Sequence, residues 1–110
     1  MSRRSYHRVL LPEVLDDIRA LAMFDEALID VPLQTITDLA NHAKVGKALG
    51  ERHVSGDLTG CLRIRFDVPG IRPERFRVVY RLAPNETIPD TIEVISVGPR
   101  GGHAAYRAAA

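Results

Sequence analysis

Two stretches in the second half of the chain, Cys61–Val68 and Arg75–Leu82, alternate apolar and charged residues. Successive side chains of a strand point to opposite faces, so each stretch predicts a strand with one apolar side and one basic side. The apolar sides contain Leu62, Ile64, Phe66, Val68, Phe76, Val78, Tyr80 and Leu82. The basic sides contain Arg63, Arg65, Arg75, Arg77 and Arg81. Two such strands side by side predict a sheet with a core face and a positively charged face.

The composition is that of one globular domain, residues 1–110, with 45% hydrophobic and 26% charged residues. The formal net charge is only +1, but all nine basic residues after residue 50 are arginines, which suit bidentate contact with phosphate. The single cysteine, Cys61, excludes an internal disulfide and is compatible with a reducing compartment. No stretch has the pattern of a signal peptide or a membrane span, so we expect a cytoplasmic protein.

The first half of the chain predicts a short strand followed by two helices. Ser5–Leu11 alternates weakly and stops at Pro12, where apolar residues begin to recur at three- and four-residue spacing. This first helix is expected to end within residues 22–29. A second helix is predicted to begin at Pro32 and to end near Gly50. The two helices are expected to pack as an antiparallel pair against the apolar face of the sheet.

Three strands follow the helices, namely Cys61–Val68, Arg75–Leu82 and Thr91–Val97, and turn-rich linkers connect them. The last of these has apolar residues on both faces, which predicts deeper burial. Glycines after it break the chain, and the alanine-rich segment His103–Ala110 predicts a short C-terminal helix. The sequence therefore predicts an α+β fold in which a short N-terminal strand and a three-strand antiparallel meander form a four-stranded sheet.

Four linked motifs in this part of the chain are Gly60–Phe66, Phe76–Tyr80, Val94–Arg100 and Tyr106. Their order and spacing resemble the RelE/ParE family of toxins from bacterial type II toxin–antitoxin systems, and in particular its RelE branch. The resemblance covers Gly56–Ala109 well and extends to the rest of the chain through the order of elements. It implies a RelE-like fold for the whole domain.

Members of the RelE branch are small ribonucleases that cut messenger RNA in the ribosomal A site. The resemblance implies a metal-independent endoribonuclease that inhibits translation, with mRNA and the ribosome as partners. It also implies a cognate antitoxin protein that binds the toxin in a hetero-oligomer. The family's site positions match Arg63, Arg65, Arg77, Arg100 and Tyr106. The first two are lysines in the family's best-known members and are arginines here.

Cleavage of RNA without a metal uses the ribose 2′-hydroxyl as the nucleophile, and fixed guanidinium groups stabilise the charge that builds on the phosphoryl oxygens. Tyr106 is expected to stack on a nucleobase, although a tyrosine there also fits a simple packing role. Arginine stays protonated and is a poor proton acceptor. His103 is the hypothesised general base, with His53 as a weaker alternative and an exposed surface role as the competing interpretation.

Simpler interpretations apply to several of these residues. One arginine on a strand surface is usually only solvated, so the prediction depends on the number of arginines and on their shared face. Arg75 and Arg81 are expected to supply supporting charge, Tyr80 to be a core residue, and His7 and His42 to be surface residues.

Two other functions remain open. A ParE-like protein with the same fold inhibits DNA gyrase by contact, and a degenerate member retains only antitoxin binding. The chain has no zinc-ligand spacing, phosphate-binding glycine loop or nucleophile motif, so no metal or cofactor is expected.

Overall fold

The computed structural model describes residues 4–48, 60–85 and 87–99. Over these ranges the protein is α+β, with two helices and one mixed five-stranded sheet. The helices are α1, Pro12–Leu21, and α2, Ala27–Ala40. The strands are β1, His7–Leu10; β2, Lys47–Ala48; β3, Cys61–Phe66; β4, Phe76–Ala83; and β5, Thr91–Pro99. Neither helix in these ranges is long and apolar enough to cross a membrane.

The strands lie side by side in the order β1-β5-β4-β3-β2. β1 runs parallel to β5, and the other neighbouring strands are antiparallel. The predicted α+β class is confirmed, but the prediction of four strands is wrong because β2 adds a fifth. Lys47 of β2 lies opposite Arg63, and Ala48 lies opposite Leu62. Two residues are too few to show the alternation by which a strand is recognised in a sequence.

The hydrophobic core lies between the two helices and one face of the sheet. We call this side the helix face, formed by Phe66, Phe76, Val78, Tyr80, Ile92, Val94 and Val97. The helices contribute Val14, Ile18, Leu21, Leu28, Ile36, Leu39 and Ala40. The predicted apolar side of β4 is therefore confirmed, because Phe76, Val78 and Tyr80 are all buried against the helices.

Helix α1 begins at Pro12, as predicted, and ends at Leu21. Proline suits the first helical position because its missing N–H has no partner there in any case. The carboxylate of Asp17 on this helix accepts the backbone N–H of Val97 at 3.2 Å. Since β1 pairs only with Thr91–Val94 of β5, α1 supplies a hydrogen-bond acceptor to the part of β5 beyond that pairing. Burial raises the pKa of Asp17 above its usual value.

Both predicted ends of the second helix are wrong. Helix α2 begins at Ala27, whose N–H bonds to the Asp25 carboxylate at 2.9 Å, and Pro32 lies buried inside the helix. It ends at Ala40, because His42 has a φ of 64° and turns the chain out of the helix. A side-chain acceptor before the helix and a left-handed residue after it therefore set its length.

Strand β5 is longer than predicted and contains one irregularity. Val79 lies opposite Ser96, whereas the next residue of β4, Tyr80, lies opposite Val94. Ile95 is therefore an extra residue in β5, a β-bulge. The predicted deeper burial of this strand is confirmed, since Ile92 and residues 94–98 are all buried. The predicted C-terminal helix lies outside the described residues.

Candidate functional site

The face of the sheet opposite the helices contains the arginines that the sequence singled out. We call it the arginine face, formed by Arg63, Arg65, Arg77, Val79, Arg81, Glu93 and Ser96. Strand register arranges these residues in rows. Arg65 lies directly opposite Arg77, and Arg63 lies opposite Val79 in the next row. Adjacent strands therefore bring together three arginines that are up to 14 positions apart in the chain.

Arg65 and Arg77 form a directly opposed pair of positive charges. Directly opposed residues of antiparallel strands have Cβ atoms about 5 Å apart, and like charges in such positions destabilise the sheet. A phosphate-like anion that reaches two neighbouring guanidinium groups can accept hydrogen bonds from both. The register of the two strands thus favours binding of a phosphate-like group at this row.

The sequence predicted that the arginine face is open to solvent, but only part of it is exposed. Arg65 is exposed and Arg63 is half-buried, but Arg77 is only 6% exposed. Val79, Ile95 and Ser96 at the centre of the sheet are buried as well. Strand β4 lies between β3 and β5, where Arg77 is opposite Arg65 on one side and opposite Gly98 on the other. The side chain of Arg77 is buried, whereas that of Arg65 reaches solvent.

A shallow cleft of about 200 Å³ opens beside this row. Its lining consists of Val45, Lys47, Arg63, Ile64 and Arg65. Sequence reasoning missed Lys47, because β2 is too short to be recognised. Two features of the sequence could have drawn attention to Lys47. It is one of only two lysines in the chain, and it follows a glycine near the end of the predicted second helix.

The position of Lys47 depends on a contact made by the preceding residue. The N–H of Gly46 donates a hydrogen bond of 2.8 Å to the hydroxyl of Tyr80. Any side chain at Gly46 would collide with its surroundings, because a Cβ there would lie 2.7 Å from the carbonyl oxygen of Arg63. Tyr80 is a core residue, as predicted, and burial raises the pKa of its hydroxyl. The tip of a helix-face residue therefore fixes the start of β2.

Arg75 does not belong to the arginine face, and the prediction that it supplies charge there is wrong. It precedes β4, and its guanidinium binds the carboxylate of Asp67 at 2.8 and 3.0 Å and lies 5.2 Å from the ring centre of Phe76. Asp67 also accepts the backbone N–H groups of Val68 and Arg75. The Arg75 guanidinium beside it holds the pKa of Asp67 at about 2. This bonded set closes the connection between β3 and β4.

Arg81 lies on the arginine face but is already engaged with a carboxylate. Its Nε donates to Glu93 at 2.8 Å across the β4–β5 pair, and both side chains remain partly exposed. Part of its charge is therefore neutralised within the sheet. This arrangement separates Arg81 from Arg65, which lies at the opposite end of the strand pair near the cleft.

The remaining predicted site residues, Arg100, His103 and Tyr106, lie outside the described residues, as does the alternative base His53. Of the two histidines expected at the surface, His7 is exposed and His42 is half-buried. The Nε2 atom of His42 lies 2.7 Å from the carbonyl oxygen of Arg4. Both residues line a separate cleft near β1, at the edge of the sheet opposite β2.

Within residues 4–48, 60–85 and 87–99, no group of three or more His, Cys, Asp or Glu side chains is arranged to hold a metal ion. None of the protein-family models, curated proteins or solved structures compared with this chain matches it. The fold and the site thus define a general class, an α+β domain whose sheet presents a cationic face beside a basic cleft.

Proposed function

We propose that this chain is a toxin of a type II toxin–antitoxin system, with a RelE-like fold and the activity of a metal-independent endoribonuclease. It cleaves messenger RNA and thereby inhibits translation. The observation that carries the proposal is the register that sets Arg65 directly opposite Arg77, with Arg63 in the adjoining row. These are the three described positions that the resemblance to the RelE branch selects.

The proposed reaction is attack of the ribose 2′-hydroxyl on the adjacent phosphate, with departure of the 5′-oxygen. Negative charge grows on the phosphoryl oxygens as the bond to the leaving oxygen breaks. Arg77, which is buried, is suited to preorganised stabilisation of that charge, because a side chain with little freedom to move needs little reorganisation during the reaction. Arg65, which is exposed, is suited to the first contact with the incoming phosphate. Arg100 and Tyr106 complete the proposed site.

The partners proposed for this activity are the ribosome, its message and an antitoxin, in the cytoplasm. A formal net charge of +1 provides little non-specific attraction for free RNA at physiological salt, although such binding strengthens as the salt concentration falls. A ribosome that presents the message in a defined position removes the need for such attraction. A cognate antitoxin would cover the toxin in a hetero-oligomer until it is released.

A second candidate, inhibition of DNA gyrase by contact, is favoured by one observation. Arg77 is 6% exposed, and a side chain buried to that degree offers a substrate little direct access. A binder that uses the exposed Arg65 and Lys47 as docking charges has no need of Arg77 at its surface. The two candidates therefore differ in the role that they give to this one guanidinium.

Cell-free translation with the purified protein tests the proposal, with cleavage sites mapped by primer extension. We expect cuts only in translated messages and a loss of about 10²–10³-fold in cleavage rate for Arg65→Gln and for Arg77→Gln. Arg72→Gln is the control, because the Arg72 side chain is 79% exposed, pairs with Glu74 and does not line the cleft. Circular dichroism melting of each variant separates loss of activity from loss of fold.

An intact message together with inhibited supercoiling by gyrase would replace the first candidate with the second. An intact message and unaffected gyrase would leave antitoxin binding as the retained function. The role of His103 as general base is tested in the same assay by His103→Ala. An unchanged cleavage rate and an unchanged dependence on pH would remove His103 from the site.

A further inference from the structure

The cleft between β2 and β3 contains three cationic side chains, those of Lys47, Arg63 and Arg65. Its other lining residues are Val45 and Ile64, so no carboxylate contributes to the lining among the residues that the structure describes. Lys47 and Arg63 are direct cross-strand partners, which places like charges side by side at the edge of the sheet.

The spacing of the cations matches a chain of phosphates better than a single anion. Arg63 and Arg65 are two residues apart on one strand and therefore about 7 Å apart along it. Lys47 lies on the next strand, about 5 Å to the side. Arg65 thus has cationic neighbours on two sides. Arg77 lies opposite it on β4, and Arg63 and Lys47 line the same cleft. Successive phosphates of an extended single strand have a comparable separation.

We propose that Lys47 is an RNA-binding residue, which contacts the phosphate adjoining the one held between Arg65 and Arg77. The inference rests on the proposed function, because it takes the anion to be the backbone of a single-stranded RNA. Lysine can serve at this position, since its ammonium group is a compact charge on a flexible stem and binds phosphate without a planar geometry. The binding site then extends over β2.

Tyr80 is the positioning residue for this contact. Its hydroxyl holds the N–H of Gly46, and the close approach of Gly46 to the carbonyl of Arg63 leaves the next residue, Lys47, opposite Arg63. The ring is fixed in the core, where only 3% of Tyr80 is exposed. A core side chain therefore determines where the lysine of a surface cleft lies.

The test measures binding of a single-stranded oligoribonucleotide that carries 2′-O-methyl groups at every position and so cannot be cut by 2′-hydroxyl attack. Fluorescence anisotropy is recorded between about 50 and 200 mM salt. Loss of one phosphate contact lowers the slope of log K against log salt by about 0.7 for a single strand, which is about 5-fold in affinity at about 0.1 M salt. We expect this change for Lys47→Ala and the wild-type slope for Lys47→Arg.

The matched control is Lys44→Ala, because Lys44 is the other lysine of the chain, pairs with Asp38 at 3.5 Å and lies outside the cleft. Its slope should equal that of the wild type. Tyr80→Phe should lower the slope as Lys47→Ala does, and the double variant should lower it no further. A purely structural role for the hydroxyl would reduce the melting temperature and leave the slope unchanged.

Equal slopes for Lys47→Ala and Lys44→Ala would overturn the inference, as would the absence of any salt-dependent binding by the wild type. The result is separable from that of the translation assay. Translation-dependent cleavage with an unchanged slope for Lys47→Ala would sustain the proposed function and remove Lys47 from it. A slope that depends on Lys47, without cleavage of any translated message, would sustain the phosphate site and reject the nuclease.

Discussion

The two faces of the sheet differ in how their burial is achieved. On the helix face, α1 and α2 cover an apolar surface, and residues such as Phe76 and Val78 are buried by apolar neighbours. On the arginine face, Val79 and Ser96 are equally buried, although their strand neighbours include charged side chains. Polarity along a strand thus identifies which residues share a face, but position within the sheet determines how much of each residue is exposed.

Two arginines that are two positions apart show how strongly the surroundings of a residue depend on its place in the strand. Arg75 and Arg77 have the same parity, so the alternation alone does not distinguish them, and only the family resemblance selected Arg77. Arg75 lies before the strand begins, where it binds Asp67, while Arg77 lies inside it, opposite Arg65. A residue's distance from the end of its strand therefore matters as much as the side to which it points.

The most direct test of the difference between the two faces is to make the same substitution on each. Val78 and Val79 are adjacent, identical and both fully buried, with Val78 on the helix face and Val79 on the arginine face. Val78→Ala should cost about 2.5 kcal/mol, the sum of lost transfer energy and a cavity that the packed helices do not fill. Val79→Ala should cost about 1.5 kcal/mol, because long arginine stems can close the space.

Urea denaturation measures both free energies of unfolding. The informative quantity is their difference, since the removed methyl groups are the same. Equal losses would mean that the arginine face is packed as rigidly as the core, and the distinction drawn between the two faces would be lost.

A smaller effect is expected from Asp67, a charged residue whose side chain is fully buried beside the half-exposed Arg75. Asp67→Ala should destabilise the protein by about 2 kcal/mol, because charge-assisted hydrogen bonds to Val68 and Arg75 are removed together. Thermal melting at neutral pH measures this loss. Arg72→Ala, which removes an exposed ion pair in the same connection, is the control and should change little.

The same carboxylate predicts how stability depends on pH. Folding lowers the pKa of Asp67 from 3.8 to about 2, so its stabilising contribution is fully present above 3.8 and is lost as the pH falls toward 2. The difference in melting temperature between the wild type and Asp67→Asn should therefore narrow over this interval. A constant difference would show that the charge of Asp67 does not contribute.

Tyr80→Phe tests a contact through which a helix-face residue supports strand β2. The variant keeps the ring and removes the hydroxyl that binds the Gly46 N–H at 2.8 Å, so we expect a loss of about 1 kcal/mol. Hydrogen exchange at Gly46 should accelerate more than that at Val78. Equal acceleration at both amides would indicate a general loss of stability rather than local release of β2.

The smallest effect is expected at Arg81, on the exposed part of the arginine face. Arg81→Ala removes a 2.8 Å ion pair with Glu93 between partly exposed side chains, which should cost about 0.5 kcal/mol. The loss should fall further at high salt. Chemical denaturation at two salt concentrations gives the result, and a loss as large as that of Val79→Ala would contradict the assignment of Arg81 to an open surface.

The elements that the sequence predicted well are those whose periodicity covers a complete strand or helix. The alternation in β4 identified Phe76, Val78 and Tyr80 because a half-buried strand requires one apolar side over several residues. It also assigned Arg75 wrongly, since alternation continues past the end of the strand. The start of α1 at Pro12 was recognised for a local reason, the absence of an N–H where none is needed.

Other features depend on residues far apart in the chain, and no local pattern encodes them. The bond between Asp67 and Arg75 spans the β3–β4 connection, and the bond between Gly46 and Tyr80 joins residues 34 positions apart. The burial of Arg77, only 6% of which is exposed, is likewise not encoded in the alternation of its own strand. Local chemistry did indicate the start of α2, through Asp25, but Pro32 gave a stronger and misleading signal.

The extra residue in β5 has a consequence for how the length of this chain can vary. Val94 and Ser96 already lie opposite consecutive residues of β4, namely Tyr80 and Val79. Deletion of Ile95 would therefore leave the remaining partners of β5 unchanged. Deletion elsewhere in the strand would turn all later side chains to the opposite side, because the alternation has a period of two. Homologous sequences that differ by one residue in this strand are accordingly expected to gain or lose it at position 95.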